Sequence, residues 1–253
     1  MTPDPVLDDP VLDIEDVSVH YGEVTALSGV SLRLGTGTVC GLLGTNGSGK
    51  STLFGTTIGL VRPSSGTVRL LGGGVAEARR RAAVAYMPQT EAIDRDFPVG
   101  ARDVVLTGRY AHMGITRRPR RADRDAVDTA LERVGMTGLA DRQIGRLSGG
   151  QRKRVFLARA IAQDAPLLLL DEPFAGVDRG TQEEMTRVLH ELRDDGRTVL
   201  VSTHDITGVE RLCDRAVLLA TRLLADGTPA QVLTPDVLGR VFGFTDAEEV
   251  AAP

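Results

Sequence analysis

Apolar and polar residues alternate along positions 11–20, where Val11, Leu12, Ile14, Val17 and Val19 mark one face of a half-buried strand. Positions 24–34 repeat the pattern and predict a second strand of the same antiparallel kind. Positions 39–43 are apolar without a break, as expected of a strand buried on both faces. A glycine-rich turn follows, then a predicted helix over 50–60. Short strands are expected at 68–71 and 83–87. From Thr90 to Gly145 the strand period disappears. A short helix is predicted at 103–108, and a longer one at 123–134 with Ala126, Val127, Ala130, Leu131 and Val134 at helical spacing. The basic stretch 117–121, around Pro119, reads as a loop. A helix over 151–163 turns Val155, Leu157, Ala158 and Ile161 inward. Strand signals resume at 167–170, 198–202 and 216–219, with an amphipathic helix over 181–193 ending near Gly196 and a short helix after 202. Strands alternating with helices predict an α/β fold with a largely parallel central sheet, an antiparallel β portion and a mainly helical insertion.

Composition narrows the class. The chain has 253 residues, 42% hydrophobic and 25% charged, which is a globular mixture and excludes a disordered tail or a disulfide-stapled mini-protein. Aromatics are 4% with no Trp, so a base-stacking platform for single-stranded nucleic acid is not expected. The net charge of −4 likewise argues against a nucleic-acid partner. Cys40 and Cys213 form no CxxC pair and are expected as buried free thiols. No secretory signal is read in residues 1–10, and no apolar run approaches the ~18 residues that span a bilayer. Any role at a membrane is expected to run through a partner. Residues 1–10 and 246–253 are expected to be loose.

Two motifs carry chemistry. Gly44-Thr45-Asn46-Gly47-Ser48-Gly49-Lys50-Ser51 fits GxxxxGK[ST], the Walker A pattern, between a buried strand and a helix. Its glycines let backbone N–H groups turn inward around an anion, and the helix N-terminus adds partial positive charge. Lys50 can reach β- and γ-phosphates, and the Ser51 hydroxyl can ligate Mg²⁺. Leu167-Leu168-Leu169-Leu170 followed by Asp171-Glu172 places two acids at the C-terminal edge of a central strand, where open α/β sheets bind ligands. This resembles Walker B. Acids often close strands for structural reasons alone, but beside a Walker A loop Asp171 is expected to hold Mg²⁺ and Glu172 to act as general base toward water.

Leu147-Ser148-Gly149-Gly150-Gln151 then lies between the helical insertion and the Walker B strand. LSGGQ resembles the signature motif of ABC ATPases. The resemblance spans about residues 11–233 and implies the ABC ATPase fold, a P-loop NTPase core with an antiparallel β subdomain and a helical insertion. The implied division is one domain over 11–245, with 11–89 and 163–235 forming the core and 90–162 the helical subdomain. It implies ATP and Mg²⁺ as ligands, with nucleotide contacts from Gly44 through Ser51 and Thr52. It implies that Ser148, Gly149, Gly150 and Gln151 bind the γ-phosphate of ATP held by a second subunit, so that two chains pack head to tail. Tyr21 matches the aromatic that stacks on adenine, Gln89 the Q-loop residue that touches Mg²⁺ or water, Asp178 the D-loop at the dimer seam, and His204 the switch histidine at the γ-phosphate. The implied catalytic set is Glu172, His204 and Gln89, and the implied metal set Ser51, Gln89 and Asp171.

Finer features resemble one group. Asp171-Glu172-Pro173-Phe174-Ala175-Gly176-Val177-Asp178, Phe97-Pro98-Val99, the 103–110 stretch from Asp103 to Tyr110 and Asp141-Arg142-Gln143-Ile144-Gly145 look like the zinc and manganese uptake ATPases. That implies a peripheral subunit on the cytoplasmic face of a bacterial membrane, working as a homodimer with integral membrane permease subunits and, indirectly, an extracytoplasmic solute-binding protein. Residues 98–121 are expected to dock the permease, or else to be a solvated basic loop. Import of iron chelates or haem is the nearest competing reading. A soluble ABC ATPase acting on DNA or ribosomes, or an exporter ATPase, are the others.

Overall fold

The computed structural model describes residues 10–89 and 97–242. Two sheets organise them. Strands β1 (Leu12–Tyr21), β2 (Val24–Leu34), β4 (Ser65–Leu70) and β5 (Gly73–Gly74) form an antiparallel sheet in the order β2-β1-β4-β5. Strands β3 (Val39–Leu43), β6 (Val84–Met87), β7 (Leu167–Asp171), β8 (Thr198–Thr203), β9 (Arg215–Ala220) and β10 (Arg222–Gly227) form the central sheet, ordered β10-β9-β3-β8-β7-β6. The central sheet is parallel except for β10, which returns antiparallel to β9.

The continuous aliphatic strands have a simple cause. Leu168 and Leu170 of β7, with Val199 and Val201 of β8, face one apolar cluster, together with the helices; Leu167, Leu169 and Leu200 face the other, against the antiparallel sheet. Both faces are covered, so both must be apolar. In β1 the alternation slips between Ile14 and Val17. There Asp16 adopts a left-handed conformation (φ 48°), the register with β2 shifts, and the Asp16 amide donates to Ser31 Oγ at 3.0 Å. The bulge lets residues three apart share a buried face. Cys40 and Cys213 are buried free thiols, and burial pushes Cys213 up to about 12.

The helices are α1 (Lys50–Thr57), α2 (Val75–Arg80), α3 (Ala101–Thr107), α4 (Arg121–Arg133), α5 (Gly149–Ala162), α6 (Arg179–Asp194), α7 (Ile206–Leu212), α8 (Pro229–Val232) and α9 (Pro235–Phe242). Helix α1 is shorter than the pattern predicts. The amides of Leu60 and Val61 both turn back to the Gly55 carbonyl at 2.8 and 3.0 Å, ending the helix and leaving Leu60 exposed. Helix α2 and strand β10 have no counterpart in the sequence reading. Only Ala78 of α2 is buried, and β10 is half-buried at Leu223 and Ala225, so neither carries a strong periodic signal. The residues expected at the start of the insertion, 90–96, and the termini at 1–9 and 246–253 lie outside the described residues.

Helices α3, α4 and α5 pack on one another, and α5 reaches back to β6. A polar knot ties them. Asp123 accepts from the Arg120 amide at 2.9 Å, capping α4, and from Arg109 Nε at 3.2 Å; Arg109 also donates to the Ala162 carbonyl at 2.9 Å. Both side chains are nearly inaccessible. The capping amide first, then Arg109, hold the Asp123 carboxyl below its ordinary range. A carboxylate depressed by folding contributes stability above its unfolded pKa of about 3.9 and loses it as pH falls through the folded value. Arg109→Met therefore removes about 2 kcal/mol at pH 7. In thermal unfolding, the gap between wild type and variant is full at neutral pH and shrinks once Asp123 is protonated in acid.

Candidate functional site

The C-terminal edges of β3, β8 and β7 lie side by side, in that order, and the loops leaving them build the site. Residues 44–49 leave β3 and enter α1 in a loop whose two ends, at Gly44 and Gly49, have no room for a side chain. A Cβ on Gly44 would lie 2.3 Å from the Leu219 carbonyl oxygen, and one on Gly49 (φ 103°) 2.6 Å from that of Ala26. The loop is thus wedged between the end of β9 and strand β2. The Thr221 amide, at the β9–β10 turn, fixes it further by donating to the Ser48 carbonyl at 2.9 Å. Thr45, Asn46, Gly47 and Ser51 are exposed along its outer side.

No side chain caps α1 and no acid stands in its first turn, so its leading N–H groups are left for an anion. Lys50 folds back over the loop, and its Nζ donates to the carbonyls of Gly44 (2.7 Å) and Thr45 (3.0 Å). Burial pulls its ammonium below the ordinary lysine range, while Glu172 and Asp171 oppose that shift. Ser48 Oγ is buried with no partner among the described residues. Thr52 is half-buried in the first turn of α1, and its carbonyl accepts from Thr56 Oγ1 at 2.8 Å.

Asp171 closes β7 and is 3% exposed. Ser51 Oγ donates to its Oδ2 at 3.1 Å and Ser202 Oγ to its Oδ1 at 2.5 Å. Ser202 sits opposite Asp171 in the β7–β8 register, and its hydroxyl also accepts the Glu172 amide at 2.9 Å. Glu172 is buried and left-handed at φ 50°, an unfavourable conformation for a side chain of that size. Its Oε2 lies 2.8 Å from His204 Nδ1. A carboxylate only accepts, so Nδ1 carries the proton, leaving Nε2 to face outward. The Lys153 ammonium, from α5, donates to the carbonyls of Gln89 (3.0 Å) and Glu172 (3.3 Å). Gln89 is exposed just beyond β6.

A second group stands apart. Ser148 caps α5: its hydroxyl accepts the Gln151 amide at 3.2 Å, and the Gln151 side chain accepts the Ser148 amide at 2.9 Å. Gly149 and Gly150 form the first turn, and Gly150 lies beside Asp178 and Thr181. Asp178 caps α6 through the Thr181 amide (3.0 Å) and hydroxyl (2.8 Å), and the Thr181 amide chiefly holds its carboxyl low. Among the described residues, no hydrogen bond joins Ser148 or Gly149 to the 44–51 loop of the same chain. Tyr21, at the end of β1, is half exposed. Sequence reasoning missed Ser202 and Lys153. Ser202 ends an aliphatic strand, and Lys153 is one of only two lysines among 30 basic residues, the other being Lys50.

Residues 27–175 match the family described as ABC transporter. The chain belongs to that family. It is 48% identical to the chelated iron transport system membrane protein YfeB of Yersinia pestis, over 94% of this chain and 81% of that one. It is 46% identical to the manganese transport system ATP-binding protein MntA of Synechocystis, over 92% and 90%. With the zinc transport system ATP-binding protein TroB of Treponema pallidum it shares 41% over 92% and 86%. Among solved structures, an ABC transporter in an inward-facing conformation superposes with a TM-score of 0.82 at 28% identity, covering 93% of this chain and 89% of that one. The chain has the fold of an ABC ATPase, a nucleotide-binding ATP hydrolase coupled to transport. Among the described residues no helix is long and apolar enough to cross a membrane.

Ser202→Ala would leave Asp171 one donor short and the Glu172 amide without its acceptor. Loss of about 1–3 kcal/mol in urea unfolding is expected. An unfolding midpoint matching wild type would show that neither bond matters.

Proposed function

We propose that this chain is the motor subunit of a transporter that imports a divalent metal ion, zinc or manganese, and that two copies enclose two ATP molecules. One observation carries the dimer. The Ser148-capped end of α5 is exposed, presents glycine amides to solvent, and makes no hydrogen bond to the chain's own phosphate loop. A helix N-terminus with exposed amides that its own nucleotide loop does not use suits the γ-phosphate of a partner's ATP.

In this reading the 44–49 amides, Lys50 and the α1 N-terminus hold the triphosphate, with Tyr21 against the base and Ser148, Gly149, Gly150, Gln151 and Asp178 on the opposite face. Ser51 Oγ and an Asp171 oxygen, 3.1 Å apart, are hard oxygen donors suited to Mg²⁺, with Gln89 as a third. When bound, the ion neutralises phosphate charge. Glu172 accepts a proton from the attacking water as the water oxygen bonds to the γ-phosphorus and the bond to the β-phosphate oxygen breaks, giving ADP and phosphate. His204, oriented by Glu172, directs Nε2 toward the γ-phosphate. Loss of that phosphate removes what both protomers grip, and the population shifts to the open pair.

The permease is assigned to the groove between the core and the insertion, a cavity of about 400 Å³ lined by Ile58, Leu60, Tyr86, Thr107, Gly108 and Arg159. Exposed Leu60 on its wall, with Tyr110 and Ile115 in the 98–121 segment beyond, offers apolar surface for a partner. The placement of this subunit on the cytoplasmic face, and a solute-binding protein beyond the permease, follow from the import reading. The ion itself would never touch this chain, so the cargo rests on the manganese and zinc relatives. The chelated-iron relative supports a second reading, iron import.

Purified Glu172→Gln protein is expected to retain ATP, to dimerise in light scattering when ATP is present, and to hydrolyse at under about 1% of the wild-type rate. A variant that stays monomeric and turns over normally refutes the assigned roles. Deleting the gene should lower cellular manganese or zinc severalfold by elemental analysis. A fall in iron alone selects the second reading.

A further inference from the structure

Glu172 is held in a costly backbone conformation, and such a residue persists only where its surroundings over-determine it. Its amide is taken by Ser202 of β8 and its side chain by His204. Its carbonyl accepts from the Ala175 amide at 3.2 Å and from Lys153, whose ammonium also holds the Gln89 carbonyl. Lys153 lies in the second turn of α5, past Ser148 and Gln151, and is half-buried. One side chain thus joins the signature helix, the loop after β6 and the loop after β7. The choice of residue suits the task. The two carbonyls belong to separate loops, and a charged side chain with several N–H donors can meet both.

We propose that Lys153 is a positioning residue for hydrolysis. It locks the Glu172 carboxylate and the Gln89 loop into one arrangement and makes that arrangement depend on where α5 stands. It touches no reacting atom and acts through Glu172. A shift of the α5 tip changes the hold on the Glu172 carbonyl, so engagement of the signature helix and readiness of the general base become one event. This inference rests on the ATPase reading above.

The test is a double-mutant cycle on the full chain. Lys153→Met is expected to lower kcat for ATP about tenfold with KM within twofold, because nucleotide contacts lie elsewhere. In the Glu172→Gln background the same change should alter the residual single-turnover rate by less than twofold, since the group Lys153 positions is already gone. Lys153→Arg, which keeps charge and donors, should keep at least half the wild-type rate. An equal tenfold fall in both backgrounds overturns the proposal, as does a rise in KM matching the fall in kcat, or an arginine variant as slow as the methionine one. A wild-type chain without ATPase activity overturns the functional reading and this inference with it. An active wild type matched by Lys153→Met overturns this inference alone.

Discussion

The carboxylate of Asp171 is the constraint around which the site is arranged. It ends an aliphatic strand and is almost fully out of water. A charge in such a place must be met by donors or it neutralises. Two hydroxyls meet it, Ser51 from the first turn of α1 and Ser202 from the neighbouring strand. The first bond links the helix that follows β3 to the end of β7, although β8 stands between those strands. The second uses β8 itself. The spacing of three strand ends is therefore set by hydrogen bonds as well as by the ladder, and the start of α1 cannot drift from Asp171 without stripping a buried carboxylate of a partner.

From that anchor the chain takes one step into Glu172 and turns left-handed. The strain is tolerated because the amide, the carbonyl and one carboxylate oxygen of the residue are engaged, by β8, by the loop after it and by α5. The position of Glu172 is thereby fixed by contacts from elements far apart in sequence. No short motif could specify it.

The parts legible in the sequence were those whose physics is local. Strands β3 and β7 announced themselves because both faces are buried. The phosphate loop did so because its glycines stand where backbone approaches within side-chain range, as at Gly44 and Gly49. The reciprocal cap between Ser148 and Gln151, which starts α5 at Gly149 rather than at the expected 151, came from the structure. What stayed hidden depends on tertiary partners. Ser202 looks like an ordinary strand end until Asp171 is set beside it. Lys153 looks like a solvated helix residue until two loops close over its ammonium. Strand β10 is held to β9 partly by the Arg215–Asp226 pair, at 2.6 Å, a bond between residues that alternation does not single out.

Helix α5 has fourteen residues, so it is a rod roughly 20 Å long. Its front end is capped by Ser148, and its back end is gripped at the Ala162 carbonyl by Arg109. Between them it lends Lys153 to the backbone carbonyls of Gln89 and Glu172 and Arg159 to the groove wall. A helix of this kind needs no relay of yielding side chains to connect its ends, because its own backbone ladder joins them. Drift in its outward-facing residues is then harmless so long as the rod neither bends nor melts, whereas a proline or a kink at mid-length would uncouple the two ends while leaving each intact.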